Sequence, residues 1–230
     1  MRHPWLRGLG TDVLDLVLPR ACVGCGAPAR TLCPDCLAHL VGGPFRHRPS
    51  PCPPGFPPAY AAAAYEGSAR DVILAWKERG LRGAARDLGY ALAVAIDAGV
   101  RDQGAGGPLL IVPIPASRSA LRRRGEDVLL RVARAAAGDM RARGRAASVH
   151  PLLALGRIPR DQSGLSAAAR RDNLRGAMQA RESAIAPGHI VLVDDVVTTG
   201  ATLAEAGRAL AAVGRAPLFA ATIAATLRRR

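Results

Sequence analysis

Aromatic residues make up only 3% of this 230-residue sequence. That scarcity leaves few platforms for stacking bases of the kind single-strand binders use. Lysine is scarcer still: Lys77 is the one lysine among 32 basic residues, the rest being arginine. No uncharged apolar run reaches the roughly 20 residues that span a bilayer, so no membrane span is expected. A secretory signal is not expected either. Residues 4–18 place Trp5, Leu6, Leu9, Val13, Leu16 and Val17 at helical spacing, but Asp12 and Asp15 interrupt the apolar stretch. No small-residue cleavage site follows before Pro19. The expected location is therefore the cytoplasm, with the opening helix packed on the protein's own body or laid on a partner or membrane surface. The five histidines show no spacing that suggests a catalytic role.

Positive charge is what the chain has in excess. The formal net charge of +14 favours anionic partners: phosphates, nucleic acid or an acidic membrane face. The codon bias of a GC-rich genome is the plainer explanation of so much arginine, but an arginine surface binds phosphate whatever its origin. An apolar fraction of 49% suits a packed core. A domain of about 170 residues buries roughly 70% of its unfolded surface and needs no staples.

Four of the five cysteines form two C-x-x-C pairs, Cys22-Val23-Gly24-Cys25 and Cys33-Pro34-Asp35-Cys36. Two such knuckles bring four thiolates into tetrahedral reach, the requirement of a closed structural Zn²⁺ site, and their softness disfavours a hard cation. Disulfides would need an oxidising compartment, and a redox C-x-x-C would normally accompany a βαβ pattern that residues 20–57 lack. The fifth, Cys52, stands in a Pro-rich stretch as a free or packed thiol. Residues 42–58 read as a semi-rigid spacer. The expected division is 1–58 for an N-terminal helix, a zinc-ribbon module and this linker, and 59–230 for the main domain.

The most informative segment runs from His189 to Leu203. Five largely apolar residues lead into Asp194 and Asp195, then Val196-Val197-Thr198-Thr199-Gly200, then an Ala-rich amphipathic pattern. That order predicts a buried strand, an acidic tip, a tight loop and a helix N-terminus. Backbone N–H groups of such a loop, with the helix dipole, suit a dianionic phosphate. Thr198, Thr199 and Thr202 add hydroxyl donors, and Gly200 permits close approach. The two carboxylates repel phosphate, so they are placed to accept hydrogen bonds from vicinal hydroxyls or to hold a cation. A phosphate beside a diol describes ribose 5-phosphate. An ordinary capped strand-to-helix turn explains any four of these residues, though not the ordered run of thirteen.

Around this segment, periodicity predicts strands at 59–65, 109–112, 148–153, 176–181, 189–193 and 216–223. It predicts helices at 68–79, 84–98, about 124–143 and 201–213. The alternation indicates an α/β fold with a mostly parallel twisted sheet flanked by helices. Ligands in such sheets bind at the carboxyl ends of strands.

The run from Val191 to Leu203 resembles the phosphoribosyl-pyrophosphate (PRPP) motif of type I phosphoribosyltransferases. Three further stretches narrow the resemblance: Trp76-Lys77 with Gly80; Val112-Pro113-Ile114-Pro115 with Arg118 and Arg122-Arg123-Arg124-Gly125; and Gln162-Ser163-Gly164-Leu165-Ser166 leading to Arg170 and Gly176. With the cysteine pairs in front, their order from Cys22 to Leu227 is similar to the competence-associated ComF family, which is related in its loops to amidophosphoribosyltransferase. The chain departs from that family at Arg124-Gly125-Glu126-Asp127-Val128, where an Arg-Gly-Phe-Asn-Gln run is usual. It also lacks a second set of knuckles, so at most one zinc is expected.

The resemblance implies that Asp194 and Asp195 are the catalytic acids on the ribose hydroxyls. Val197, Thr198, Thr199, Gly200, Ala201 and Thr202 would hold the 5-phosphate. Pro115, Ala116 and Arg118 would serve the diphosphate, with Lys77 as a second cationic contact. Gln162 to Arg170 would form a closing loop. It further implies Mg²⁺ bound with PRPP, structural Zn²⁺ on Cys22, Cys25, Cys33 and Cys36, and a link to DNA uptake through single-stranded DNA and the competence machinery. The acceptor is unspecified, and residues 20–58 are expected to fold near the ligand edge of the sheet. The alternative is a single-stranded-DNA-binding protein with a non-catalytic PRPP pocket: Arg118 to Arg145 holds nine arginines against three acids. A solvated helix face is the plain explanation of that charge.

Overall fold

The computed structural model describes residues 21–29, 31–79, 83–156, 176–181 and 187–227. The helix expected at 4–18, and the candidate ligand residues Gln162 and Arg170, lie outside them. A six-stranded sheet dominates, in the order β1-β2-β8-β7-β3-β4. Its strands are β1 (Phe45–His47), β2 (Ala59–Ala64), β3 (Leu109–Pro113), β4 (Ala147–Val149), β7 (His189–Val197) and β8 (Phe219–Ala225). Only β1 is antiparallel; β2, β8, β7, β3 and β4 run parallel, so their carboxyl ends share one edge. β5 (Leu153–Leu155) and β6 (Met178–Ala180) form a separate antiparallel pair. The helices are α1 (Pro34–Val41), α2 (Gly67–Arg79), α3 (Ala84–Gln103), α4 (Arg118–Arg124), α5 (Val128–Ala142) and α6 (Ala201–Ala211). The expected α/β architecture, mostly parallel with flanking helices, is what the chain adopts.

Small residues set how closely the layers approach. β2 reads AYAAAA and β8 FAATIAA, both almost wholly buried. α3 lies on these two strands and against α5. A Cβ at Gly89 would fall 2.5 Å from Ala135 Cβ, and one at Gly99 would fall 2.4 Å from the Phe219 ring. These two positions are the points where helix meets helix and helix meets sheet. At the amino edge, the Tyr60 hydroxyl donates to Asp102, and Gln103 Nε2 donates to Tyr60 at 2.8 Å, which fixes the end of α3.

Four expectations are revised. Residues 42–58 do more than space two modules, since they supply edge strand β1. The long helix expected at about 124–143 is present but begins later, at Val128: Gly125 ends the separate preceding helix α4 with φ +72°, and Asp127 caps α5 by accepting from Leu130 N–H at 3.0 Å. Two residues that depart from the family pattern thus have local roles here, because Glu126 pairs with Arg131 beside that cap. The strand expected at 148–153 is divided between β4 and β5, with Pro151, which has no N–H for a ladder, between them. The strand expected to stop at 193 continues to Val197 and carries both acids within it.

Candidate sugar-phosphate site and cysteine cluster

β7 pairs with β8 along its whole second half, through Asp194↔Thr222, Val196↔Ala224 and Val197↔Ala225. Thr226 N–H donates to the Val197 carbonyl at 3.0 Å and closes that side. On the other side β3 stops at Pro113, opposite Val193. β7 therefore outruns β3 by four residues, and its acids border a crevice at the carboxyl edge, the place where open parallel sheets bind ligands.

Asp194 is half-buried, and Asp195 N–H donates to its Oδ1 at 2.8 Å. Burial, with the Asp195 charge adding to it, raises the Asp194 pKa to about 8 against the opposing pull of that N–H and of Lys77. Asp194 is thus mostly protonated at neutral pH and able to donate one hydrogen bond while accepting others. Asp195 keeps a cationic neighbour: Lys77 Nζ lies 2.8 Å from its Oδ2, with 29% of the lysine and 18% of the acid side chain exposed. The sole lysine of the chain comes to this point from α2. That helix begins just after β2, which is two strands away from β7 in the sheet.

Beyond Val197 the chain turns at Gly200, whose φ of +75° suits glycine, into α6. No side chain caps this helix, apart from a long 3.5 Å contact between Ala201 N–H and Thr199 Oγ1, so its first N–H groups face the edge with the dipole behind them. Thr198 is exposed, Thr199 and Thr202 half-buried, and Ala201 buried; the Val197 side chain faces the core. Pro115 and Ala116 follow β3 on the same edge, half-buried, and Arg118, exposed, opens α4. The fold thus gathers Lys77, Pro115 to Arg118 and Asp194 to Thr202 along one edge.

Two residues absent from the sequence reading also belong here. A Cβ at Gly200 would lie 2.7 Å from Phe56 Cε2 and 2.8 Å from Pro49 Cγ, so the Pro-rich stretch backs the turn directly. Phe56 is one of three phenylalanines, and in so aromatic-poor a chain its presence in a supposed spacer was the available signal. Glu205, on α6, is buried and accepts from Met178 N–H at 3.1 Å and from Arg208, which also donates to the Met178 carbonyl at 3.1 Å. This pair joins β6 to the helix that carries the turn.

The comparison with protein families decides the class of the carboxy-terminal region. Residues 139–230 match the phosphoribosyl transferase domain. That region contains β7, the acids, the turn and α6, and the sheet around it has the architecture such a domain requires. No curated protein matches the chain.

The four cysteines converge as their spacing demands. Their Sγ atoms all lie within 4.8 Å of one another, and Cys25 and Cys33 are 3.6 Å apart. A tetrahedral ion with metal–sulfur bonds of about 2.3 Å holds its sulfurs about 3.8 Å apart, so the set fits Zn²⁺. The second knuckle is also a helix start: Cys33 Sγ accepts from Cys36 N–H, with Pro34 opening α1. Burial disfavours the Cys22 thiolate, but N–H groups of Cys33, Gly24 and Cys25 outweigh it and bring the thiol down to about 6. Burial and the other thiols push Cys36 strongly upward. A cluster in which one thiolate is already favoured is chemically ready for a soft cation. Among the described residues, no helix is long and apolar enough to cross a membrane.

Proposed function

We propose that this protein binds PRPP at the edge built by Asp194 to Thr202 and transfers its phosphoribosyl group to a nucleophilic acceptor. The observation that carries this reading is the conjunction of two acids on the overhang of β7 with an uncapped helix N-terminus at Gly200–Ala201, just beyond the strand. Asp195 accepts hydrogen bonds from the ribose hydroxyls, and Asp194, neutral at pH 7, accepts and donates beside it. The turn from Thr198 to Thr202 receives the 5-phosphate on N–H and hydroxyl groups. Arg118 and Lys77 face the diphosphate. Mg²⁺ bound with the ligand supplies neutralisation of the diphosphate charge. In the transfer, the bond from C1 to the diphosphate oxygen breaks with its electron pair leaving on diphosphate, and a bond forms between C1 and the acceptor. The acceptor's proton is released to solvent. Positioning and charge complementarity supply the rate enhancement, with no covalent enzyme intermediate.

The order of cysteine pairs, Trp76-Lys77, the β3 turn and the PRPP-like run supports assignment to the ComF family, with its cytoplasmic location and link to DNA uptake. Isothermal titration of PRPP–Mg and of ribose 5-phosphate tests the site. Micromolar to millimolar binding, lost in Asp194→Ala/Asp195→Ala, is the expected result. Pyrophosphate release with an amine or base establishes transfer, and absence of binding at millimolar ligand overturns the reading.

One observation favours a second reading, a nucleic-acid binder with a non-catalytic pocket. Arg118, Arg122 and Arg123 are exposed on α4, which buries none of its residues, at this same edge. Binding of a single-stranded oligonucleotide that falls at least a hundredfold between about 50 and 200 mM salt, without turnover, supports it.

A further inference from the structure

Contacts tie the cysteine module to the helix that delivers Lys77 and to the residue that opens the next helix. Gly24, inside the first knuckle, is seated between Cys36 and Ser68: an added Cβ would lie 2.9 Å from Cys36 Sγ and 3.1 Å from Ser68 Cβ. Ser68 is the second residue of α2. At the far end, just before α3, a Cβ at Gly83 would lie 2.9 Å from Thr31 Oγ1, and Thr31 belongs to the segment between the knuckles. Between these points α1 packs on α2, α3 and β2, with Leu40 buried in the main core and Leu32 packed against both that core and the cysteines. Along α2 itself, Val72, Ile73 and Trp76 are buried, and Lys77 follows immediately with its ammonium on Asp195.

A module built as an independent binding appendage would touch the main domain at one patch. This one meets α2 at its start and along its flank, and meets α3 at the residue that opens it. Metal bound by the four thiolates ties Cys22 and Cys25 to Cys33 and Cys36, and so holds Gly24, Thr31 and α1 in one rigid unit. We infer that the cysteine module is a clamp on α2, and that Gly24, Thr31 and the four cysteines are positioning residues that fix Lys77 over Asp195. The inference rests on the sugar-phosphate site proposed above and adds the reason a metal module belongs to such a site. Without the clamp, α2 keeps its buried face but loses its register along the sheet edge. The Lys77 ammonium then samples positions away from the acid. Ligand binding must restore that order and is weakened accordingly.

The test uses the full-length, zinc-loaded chain and three variants: Cys36→Ser, Gly83→Val and Lys77→Met. Gly83→Val leaves all four thiols in place, and among the described residues its Cβ presses on Thr31, so it guards against a Cys36→Ser protein that fails to fold. Two readouts are taken, amide hydrogen exchange of residues 70–79 without ligand and calorimetric affinity for PRPP–Mg. Cys36→Ser and Gly83→Val are expected to speed exchange in 70–79 at least tenfold. Each is expected to weaken PRPP–Mg about as much as Lys77→Met does, on the order of tenfold. Combining either with Lys77→Met is expected to cost no more than a further twofold, because both changes remove one contact. Unchanged exchange in 70–79, or losses that multiply to about a hundredfold in the double variants, overturns the clamp. If the unaltered protein binds no PRPP–Mg, the proposed site is wrong, and the exchange measurement still decides whether the module holds α2.

Discussion

Asp194 and Asp195 are neighbours in sequence with opposite electrostatic situations. Asp195 has Lys77 at 2.8 Å, while at half-buried Asp194 desolvation and the neighbouring Asp195 charge outweigh the pull of that lysine. The folded protein holds the Asp194 proton up to about pH 8, whereas the unfolded chain releases it near 3.8. Between those values the native state binds more protons, so Asp194 makes stability fall as pH rises, and its full penalty is present above pH 8. Asp194→Asn removes that penalty. Its melting temperature is expected to match the parent near pH 4 and to exceed it at pH 8–9 by about 2–4 °C for each kcal/mol relieved. A scan of melting temperature against pH checks this, and an equal gain at both ends contradicts it. Gly200 offers a second test at this scale. Alanine there adopts φ +75° with its methyl against Phe56 and Pro49. Gly200→Ala is expected to cost about 1–3 kcal/mol in urea unfolding and to abolish ribose 5-phosphate binding, since the turn must open to relieve the overlap.

Elements here are joined by a few specific groups. The β5–β6 pair contributes nothing to the main sheet and is held to α6 through Glu205 and Arg208. Burial works against the Glu205 carboxylate, but Arg208 and the N–H groups of Met178 and Gly176 outweigh it and lower its pKa. That contribution is present above the ordinary glutamate range and is lost as pH falls through the lowered folded value. Glu205→Ala leaves the Met178 N–H and the Arg208 guanidinium without this partner. A loss of about 2 kcal/mol is expected, with faster amide exchange confined to β5 and β6. Exchange that accelerates across β7 and β8 equally would show that the pair is not a separate unit. The existence of most elements was legible beforehand, because a period of 2 or 3.6 is written in the apolar positions themselves. Their limits were not. β7 runs to Val197 because β8 offers it partners as far as Ala225, and no local preference of Asp194 or Asp195 announces that.

At the scale of the whole molecule, the sheet and its helices bury enough apolar surface to stand without metal, while residues 21–41 depend on four thiols and little core of their own. A strong chelator is therefore expected to shift the main unfolding transition by only a few degrees. It is expected at the same time to expose residues 21–41 to limited proteolysis. Collapse of the entire transition on chelation would contradict that division.

The sequence by itself determined the alternating elements, the four-cysteine cluster and the run of acids, threonines and glycine, since each depends on residues close together in the chain. Only the tertiary structure decided which distant groups meet them. Lys77, on the helix that follows β2, reaches Asp195 on β7 two strands away, and Phe56 reaches Gly200 from the Pro-rich stretch that follows edge strand β1. Such meetings are fixed by strand order and by the closeness that alanine and glycine permit between layers, and neither is a property of any single segment.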